Sequence, residues 1–482
     1  MSLLLIALGI VIVFCILIFT FPDLLAGMFT AVTGVFGNYF IILSFIGVVV
    51  LVFVAFSRHG KIKLGEGKPR FKFFTWISMV FTTGLAGDLV FFGFHEFKYY
   101  ADQTTALGTD NITNMTTYSI LHWTTIPWVI YFLPAVAYAY FMHVRGNKSD
   151  KISAEISNHK KLSNTIDVIS LVTLIVGCAT TFSITTPYVT HTLNLLFSIP
   201  DSVIVSIVVI VIIAVVYMLA SVFGITVIAR IATGCVVLYI VLLAAVFILG
   251  DTLSIIKYTA SGLSTYVINF VKMSTWLDID NVSNGFKSDW TVFFFAYWIS
   301  WSVLVPKWIG QISEGMTIRK MLIGGVLAGS AATGLAFFVF GNNGVSSYLK
   351  GAVDIGADPN DVINHVLQSL PGGLALIFIL VVLILMFYIT SFDSIVEVLS
   401  SFINNHTTKG KVLCSVILVI LPLTLVFNSV VLDGLKSLTI IMAVPMSLIL
   451  ILVVVTFMRM LRKDDPVTME QIPPPSAENH HR

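Results

Sequence analysis

Runs of about twenty apolar residues recur along almost the whole chain, and short charged loops separate them. A helix of that length spans the hydrocarbon of a bilayer. Of the 482 residues, 57% are hydrophobic and only 11% are charged. The backbone in hydrocarbon must satisfy its own hydrogen bonds, and the runs lack the short alternating pattern of a membrane barrel. The sequence therefore predicts an all-α polytopic membrane protein.

We predict about twelve transmembrane helices from these runs. They lie at roughly 3–22, 38–57, 73–97, 117–142, 165–198, 201–223, 226–250, 291–312, 321–341, 371–402, 412–428 and 435–458. The run at 165–198 is too long for one straight crossing, so we expect it to be tilted or broken near Pro187. The first run lacks the basic start and cleavage site of a signal peptide, which favours a retained helix.

Lysine and arginine residues gather in the loops that follow the even-numbered spans and near the end of the chain. Because basic loops stay in the cytoplasm, this pattern places both termini on the inner side of a cell membrane. The segment from Leu253 to Met273 is moderately apolar with polar breaks. We interpret it as an amphipathic helix lying on the external surface.

Motifs of enzymes are missing from the sequence. The chain has no HExxH, no Walker loop and no GxSxG, and its four cysteines make no metal-type spacing with one another. We therefore expect a protein that is not an enzyme, with no cofactor and no nucleic-acid partner, whose main surroundings are the lipid bilayer.

Aromatic residues cluster in two spans, which read HWTTIPWVIY from His122 to Tyr131 and FFFAYWISWS from Phe293 to Ser302. On continuous helices, one face of each would carry large rings. These rings are Trp123, Trp128 and Tyr131 in the fourth span and Tyr297, Trp298 and Trp301 in the eighth. Two such walls form a box for a cation that donates no hydrogen bonds, at about 0.5–2 kcal/mol per contact. The alternative is that the tryptophans are interfacial anchors or core residues and that His122 is a core histidine.

The third span contains FTTGLAGDLVFFGFHEF, in which Gly84 and Gly87 weaken the helix and Asp88 follows at once. Broken membrane helices of this kind expose carbonyl groups to ions and solutes. A carboxylate at this depth is costly and is rarely kept without use. The alternative is a small-residue packing face, with Asp88 paired to a neighbour.

The tenth span contains FYITSFDSIVEV. The hydroxyls of Thr390 and Ser391 and the carbonyl of Phe387 are oxygen ligands of the kind that a small hard cation takes. Hydroxyls in membrane helices more often bond their own backbone, so this pattern alone is weak.

Four segments, in this order and spacing, resemble the betaine/choline/carnitine transporter family from the third span to the tenth. The most specific is WISWSVLVPKWIGQISEGMTIRK, from Trp298 to Lys320. The others are GLAGDLVFFGFHE, HWxxxxWxxY and the TSxDS from Thr390 to Ser394. The resemblance implies a secondary active transporter, a symporter that imports a quaternary-ammonium solute. A channel or a receptor on the same fold is the alternative from another class.

The resemblance also implies two amino-terminal helices followed by two five-helix inverted repeats. The corresponding segments are 1–72 (two helices and a cytoplasmic loop), 73–250 (first repeat), 251–290 (external helix and loop), 291–460 (second repeat) and 461–482 (cytoplasmic tail). It further implies a homotrimer in which the external amphipathic helix contributes to subunit contact.

Site residues follow from the resemblance position by position. The family's aromatic box maps onto Trp123, Trp128, Tyr131, Trp298 and Trp301, with Tyr297 where some members have another tryptophan. Its main sodium site would use backbone oxygens of Thr82, Leu85 and Phe387 and the hydroxyls of Thr390 and Ser391. Its second sodium site maps onto Leu174 and Cys178, which carry no hydroxyl, so we expect fewer coupled ions.

Asp88 matches the aspartate of choline-type members, whereas betaine-type members have glycine. A carboxylate beside the box attracts choline and repels the carboxylate of betaine or carnitine. We therefore expect a choline-type carrier coupled to sodium. Proton-coupled choline uptake and the transport of glycine betaine or carnitine are the alternatives. Osmoprotection is a role that the resemblance implies. Because the carboxy-terminal tail is short, we expect uptake to respond only weakly to osmotic stress.

Overall fold

A computed structural model describes residues 2–84, 86–147, 149, 151–157, 159–222, 225–302, 304–402, 407–425 and 431–464. These residues are almost entirely helical and contain no strand, only two isolated backbone bridges. The all-α prediction is confirmed.

The described residues form the helices α1 (Ser2–Thr20), α2 (Pro22–Phe56), α3 (Phe73–Gly84), α4 (Ala86–His95), α5 (Asn111–Trp123), α6 (Thr125–His143), α7 (Lys160–Phe197), α8 (Val203–Val222), α9 (Ile225–Leu249), α10 (Thr252–Ser274), α11 (Phe293–Trp301), α12 (Leu304–Gln311), α13 (Gly325–Ala336), α14 (Asn342–Leu349), α15 (Pro359–Gln368), α16 (Gly373–Phe402), α17 (Thr408–Leu425) and α18 (Val431–Lys463). A 3-10 turn at Glu96–Tyr100 follows α4, and π-helical turns precede α11, α13 and α14.

The chain carries many helices that are long and apolar enough to cross a membrane. Among the described residues there are eight, or ten if each of two bent helix pairs is one span. The two other predicted spans coincide with α8 and α17. The prediction of a polytopic protein is confirmed. The second span begins at Pro22, well before the predicted start at 38, and residues 465–482 of the predicted tail lie outside the described residues.

Three spans are interrupted. α3 and α4 bend by 73° at the glycine-rich segment, as predicted, and α11 and α12 bend by 47° just after Trp301. α5 ends and α6 begins at Thr124, whose backbone angles (φ −108°, ψ −108°) are not helical. In contrast, α7 continues through Pro187, so the expectation of a break there is wrong and tilt is the alternative that stands. The division into inverted repeats stays a prediction.

The interrupted helices lie at the centre of the molecule. α6 is buried from Ile126 to Phe141, and it packs against α11 and α12. α11 also packs against α7 and α18, while α16 packs against α3 and α4. The segment predicted to be amphipathic is the helix α10, which packs on α5 and exposes apolar side chains such as Ile268 on its other side.

Candidate functional site

Five of the six predicted aromatic residues are linked through Trp298 and Tyr297, and the sixth, Trp128, contacts the ring of Tyr131. The rings of Trp123 and Trp298 meet edge to face, with centroids 4.9 Å apart and an interplanar angle of 71°. The ring centroid of Trp298 lies 6.4 Å from that of Tyr131 and 5.0 Å from that of Tyr297. Trp301 is 6.4 Å from Tyr297 and is the most exposed of the five, at 7%. We call these five residues the aromatic box.

The interruption of the fourth span orients the box. Because α5 ends at Trp123, the carbonyl groups of its last turn are available to other partners. Trp298 Nε1 donates to the carbonyl of His122 at 2.8 Å, and Thr333 Oγ1 donates to the carbonyl of Trp123 at 2.6 Å. The indole of Trp123 is bonded as well, since its Nε1 donates to Glu96 Oε2 at 2.5 Å.

Trp128 occupies a different position from the one expected. The sequence argument assumed a continuous helix, and that assumption is wrong because of the break at Thr124. Trp128 touches Tyr131 at 6.1 Å, but its Nε1 donates to Thr333 Oγ1 at 3.2 Å. Its ring also covers Gly329 so closely that a Cβ there would lie 2.5 Å from it. These contacts place Trp128 between α6 and α13, behind the box.

Asp88 is buried and is bonded directly to the box. Its Oδ2 accepts from the hydroxyl of Tyr297 at 2.5 Å and from Thr181 Oγ1 at 3.4 Å. Its Oδ1 makes no hydrogen bond within the described part of the chain. Asp88 is therefore paired to neighbours, as the packing interpretation predicts. One of those neighbours, Tyr297, belongs to the box, so the functional interpretation also remains.

Two of the five predicted sodium ligands, Thr82 and Ser391, meet where α3 packs against α16, and two more lie on α16 near that crossing. Ser391 Oγ donates to the carbonyl of Thr82 at 2.7 Å, and Thr390 Oγ1 donates to the carbonyl of Phe387 at 3.0 Å. Leu85, the fifth, lies outside the described residues. Thr390 thus bonds its own helix, as in the alternative interpretation, whereas Ser391 bridges two helices. All four groups are neutral oxygens, the ligand type of hard cations.

Sequence comparison decides the family. The chain matches the betaine/carnitine/choline family of transporters over residues 2–466, which extends well beyond the segments that carry the resemblance. The chain belongs to this family. It is a membrane transporter and not an enzyme.

Relatives in this transporter family differ in their named substrates. A carnitine transporter of Acinetobacter baumannii is 27% identical over 445 residues, which cover 87% of this chain and 80% of that protein. The glycine betaine transporter OpuD of Bacillus subtilis is 28% identical over 451 residues, with coverages of 90% and 88%. The high-affinity choline transport protein of Escherichia coli is 25% identical over 458 residues, with coverages of 90% and 67%.

A solved structure shares the fold of this transporter. It is the substrate-bound outward-open state of a Na⁺-coupled sialic acid symporter, with a TM-score of 0.53 and 15% sequence identity. The match covers 89% of this chain and 86% of the symporter. At this identity the likeness shows the fold alone.

A cavity of about 510 Å³ lies beside the box in this BCCT transporter. Phe92, Trp290 and Phe293 line it, together with the charged residues Asp289 and Lys436. Phe92 also packs against Trp123, with ring centroids 5.5 Å apart. Phe92 therefore lies between the cavity and Trp123 of the box.

Two residues that contact the site were not predicted from the sequence, and a third, His122, was expected only as a core histidine. Thr181 bonds both Asp88 and Tyr297, Glu96 bonds Trp123, and the carbonyl of His122 bonds Trp298. Glu96 carried a signal that was passed over, since it is an acidic residue at the end of an apolar span. Thr181 carried none, because its role depends on a helix that is distant in sequence.

Proposed function

We propose that this transporter is a sodium-coupled symporter that imports a quaternary-ammonium solute, with choline as the preferred substrate. The observation that carries the proposal is an aromatic box whose Tyr297 is hydrogen-bonded to a buried aspartate.

The box is suited to a cation that donates no hydrogen bonds. The indole N–H groups of Trp123 and Trp298 are bonded to the protein, so a ligand that enters between these buried rings would meet their π systems and not their donors. The negative face of an aromatic ring attracts a cation by about 2 kcal/mol where water is excluded. A trimethylammonium group matches these faces in charge and in its lack of donors.

Asp88 is the reason to prefer choline within this class. Its Oδ1 makes no hydrogen bond among the described residues, so it can accept the hydroxyl of choline. A charge of the same sign on betaine or carnitine would be repelled. At an effective dielectric constant near 20, unit charges about 6 Å apart interact by about 2.8 kcal/mol, or about a hundredfold in affinity. The named relatives transport carnitine, glycine betaine and choline, so the family accommodates each of these solutes.

Sodium is the coupling ion that the geometry favours. Thr82, Phe387, Thr390 and Ser391 supply carbonyl and hydroxyl oxygens on two helices, one of which continues into the break before Asp88. An ion bound there would link the arrangement of α3 to that of α4 and hence to the box. The second candidate is a proton carried by Asp88, which is buried and holds one oxygen without a partner among the described residues.

Uptake into proteoliposomes tests this proposal, with sodium and proton gradients imposed separately. Labelled choline, glycine betaine and carnitine are offered at equal concentration. We expect choline to accumulate under an inward sodium gradient and the other two to accumulate more weakly. Accumulation under a proton gradient alone would show that protons, and not sodium, are the coupling ion. A preference for betaine or carnitine would overturn the assignment of choline.

A further inference from the structure

A fully buried polar cluster lies against the indole of Trp123. It consists of Glu96 and Tyr100 from the turn after α4, His122 from α5, and Thr291 from the turn before α11. The side chains of Glu96 and His122 are both 0% exposed. The elements that meet here are the ones that carry the aromatic box, yet none of these four residues belongs to the box.

Two hydrogen bonds of the cluster are donated to Glu96. Trp123 Nε1 donates to Glu96 Oε2 at 2.5 Å, and the hydroxyl of Tyr100 donates to Glu96 Oε1. The oxygen of Tyr100 lies 2.8 Å from His122 Nδ1, and His122 Nε2 lies 3.1 Å from Thr291 Oγ1. An indole N–H can only donate. Glu96 thus accepts hydrogen bonds at both carboxylate oxygens, one of them from the indole of Trp123.

Neighbouring basic groups on the same segment are directed elsewhere. Lys98 Nζ donates to the carbonyl of Ala357 at 2.5 Å, and His95 Nδ1 lies 2.8 Å from the carbonyl of Phe91. His122 Nδ1 approaches Glu96 to 3.9 Å, but the hydroxyl of Tyr100 stands between them as the hydrogen-bond partner of both. Glu96 is thus bonded to the indole of Trp123 and the hydroxyl of Tyr100 rather than to Lys98 or His95.

We infer that Glu96 is a positioning residue that holds Trp123 in place and supplies negative charge behind its ring, so that the box selects cations over uncharged molecules of the same shape. A charged acceptor on the indole N–H increases the electron density of the π face that meets the ligand. The same charge also attracts a cation across the low-dielectric interior. This inference rests on the proposed function, because it assumes that the box binds a cation.

Binding measurements with a charged and an uncharged ligand of equal shape test the role of Glu96. Choline and its neutral isostere 3,3-dimethyl-1-butanol are compared by competition against labelled choline on the purified full-length protein. The variants are Glu96→Gln, Trp123→Phe and the double variant. Glu96→Gln keeps an acceptor oxygen and nearly the shape of the glutamate. Trp123→Phe keeps an aromatic face but removes the indole N–H donor and one of the two fused rings.

We expect Glu96→Gln to weaken choline binding about tenfold and to leave the isostere within about twofold, as for a charge about 10 Å from the ligand. In the Trp123→Phe background the same substitution should change the choline to isostere ratio less, because the effect through the indole is gone and only the direct attraction of the charge remains. The matched control is Glu397→Gln. It neutralises a carboxylate that pairs with Lys411 at 2.8 Å on another helix, so the ratio should stay at the wild-type value.

Equal weakening of both ligands in Glu96→Gln would overturn the inference, because it would show a purely structural role. An unchanged ratio would overturn it as well. If Glu96→Gln does not fold, Trp123→Phe alone decides, since a wild-type ratio in that variant contradicts the inference. A wild-type protein that does not bind choline would instead overturn the proposed function, and the inference with it.

Discussion

Asp88 and Tyr297 form the contact on which substrate choice depends in the proposed mechanism. The carboxylate is anchored through Oδ2, while Oδ1 has no partner in the described part of the chain. Asp88→Asn keeps the shape and removes the charge. We expect choline affinity to fall by about ten- to a hundredfold and the relative preference for glycine betaine to rise. Competition of labelled choline by unlabelled choline and betaine measures the change, and an unchanged rank order would contradict it.

The tryptophans of the site separate into binding and packing residues. Trp301→Ala removes a wall of the box, and we expect choline affinity to fall about thirtyfold, the equivalent of about 2 kcal/mol. Trp128→Phe should act on stability instead, because its indole bonds Thr333 behind the box. Losing that hydrogen bond should cost about 1 kcal/mol and leave affinity near the wild-type value. Ligand binding and thermal unfolding of both variants check this division, and a large loss of affinity in Trp128→Phe would refute it.

Sequence clustering was enough to select the box residues but not to explain their orientation. Trp123, Tyr297, Trp298 and Trp301 stood out because they are concentrated in two short segments. The break at Thr124 carried a signal that was passed over, because Pro127 has no N–H to bond the carbonyl of Trp123 four residues earlier. Glu96 and Thr181 were missed because their roles arise from contacts between elements.

At the scale of elements, small residues let two helices of the site approach each other closely. A Cβ at Gly329 of α13 would lie 2.5 Å from the ring of Trp128 on α6. Gly329→Ala should therefore destabilise the protein by about 1–3 kcal/mol through overpacking. The control is Gly34→Ala on α2, where a Cβ meets nothing within 4 Å, so stability should stay equal or rise slightly. Thermal unfolding in detergent compares them, and equal melting temperatures would contradict the packing described here.

The crossing of α3 and α16 is where ion coupling is expected. Thr390→Ala combined with Ser391→Ala removes both hydroxyls and leaves the carbonyls of Thr82 and Phe387. We expect the sodium concentration for half-maximal uptake to rise by about tenfold or more, because a small hard ion needs most of its oxygen ligands. Uptake in the double variant that follows the sodium gradient as in wild type would place the ion elsewhere.

The existence of the membrane helices was predictable, whereas their internal shape was only partly so. The length of each apolar run identifies a span, and Gly84 and Gly87 predicted the 73° bend in the third span. The bend after Trp301 and the straight course through Pro187 were not foreseen. A proline is tolerated in a membrane helix where neighbours satisfy the freed carbonyl, and sequence does not report those neighbours.

At the scale of the whole molecule, α10 bears on the proposed homotrimer. It packs on α5 with one side and leaves Leu253, Val267 and Ile268 exposed at 80%, 65% and 80%. In the homotrimer that the resemblance implies, a second copy of the chain would cover this apolar side. We expect Ile268→Lys to shift the protein from trimer toward monomer in native mass spectrometry from detergent. The control is Lys257→Gln on the same helix, and a trimer that persists in Ile268→Lys would argue against this surface.

The proposed transport requires that the aromatic box bind the quaternary-ammonium group of the solute. Counterflow in proteoliposomes tests this requirement: vesicles loaded with unlabelled choline are diluted into labelled choline, with wild type and Trp298→Ala compared at equal protein density. We expect a transient accumulation of label with wild type, as a carrier requires, and none with Trp298→Ala. Counterflow of equal size in both proteins would contradict it.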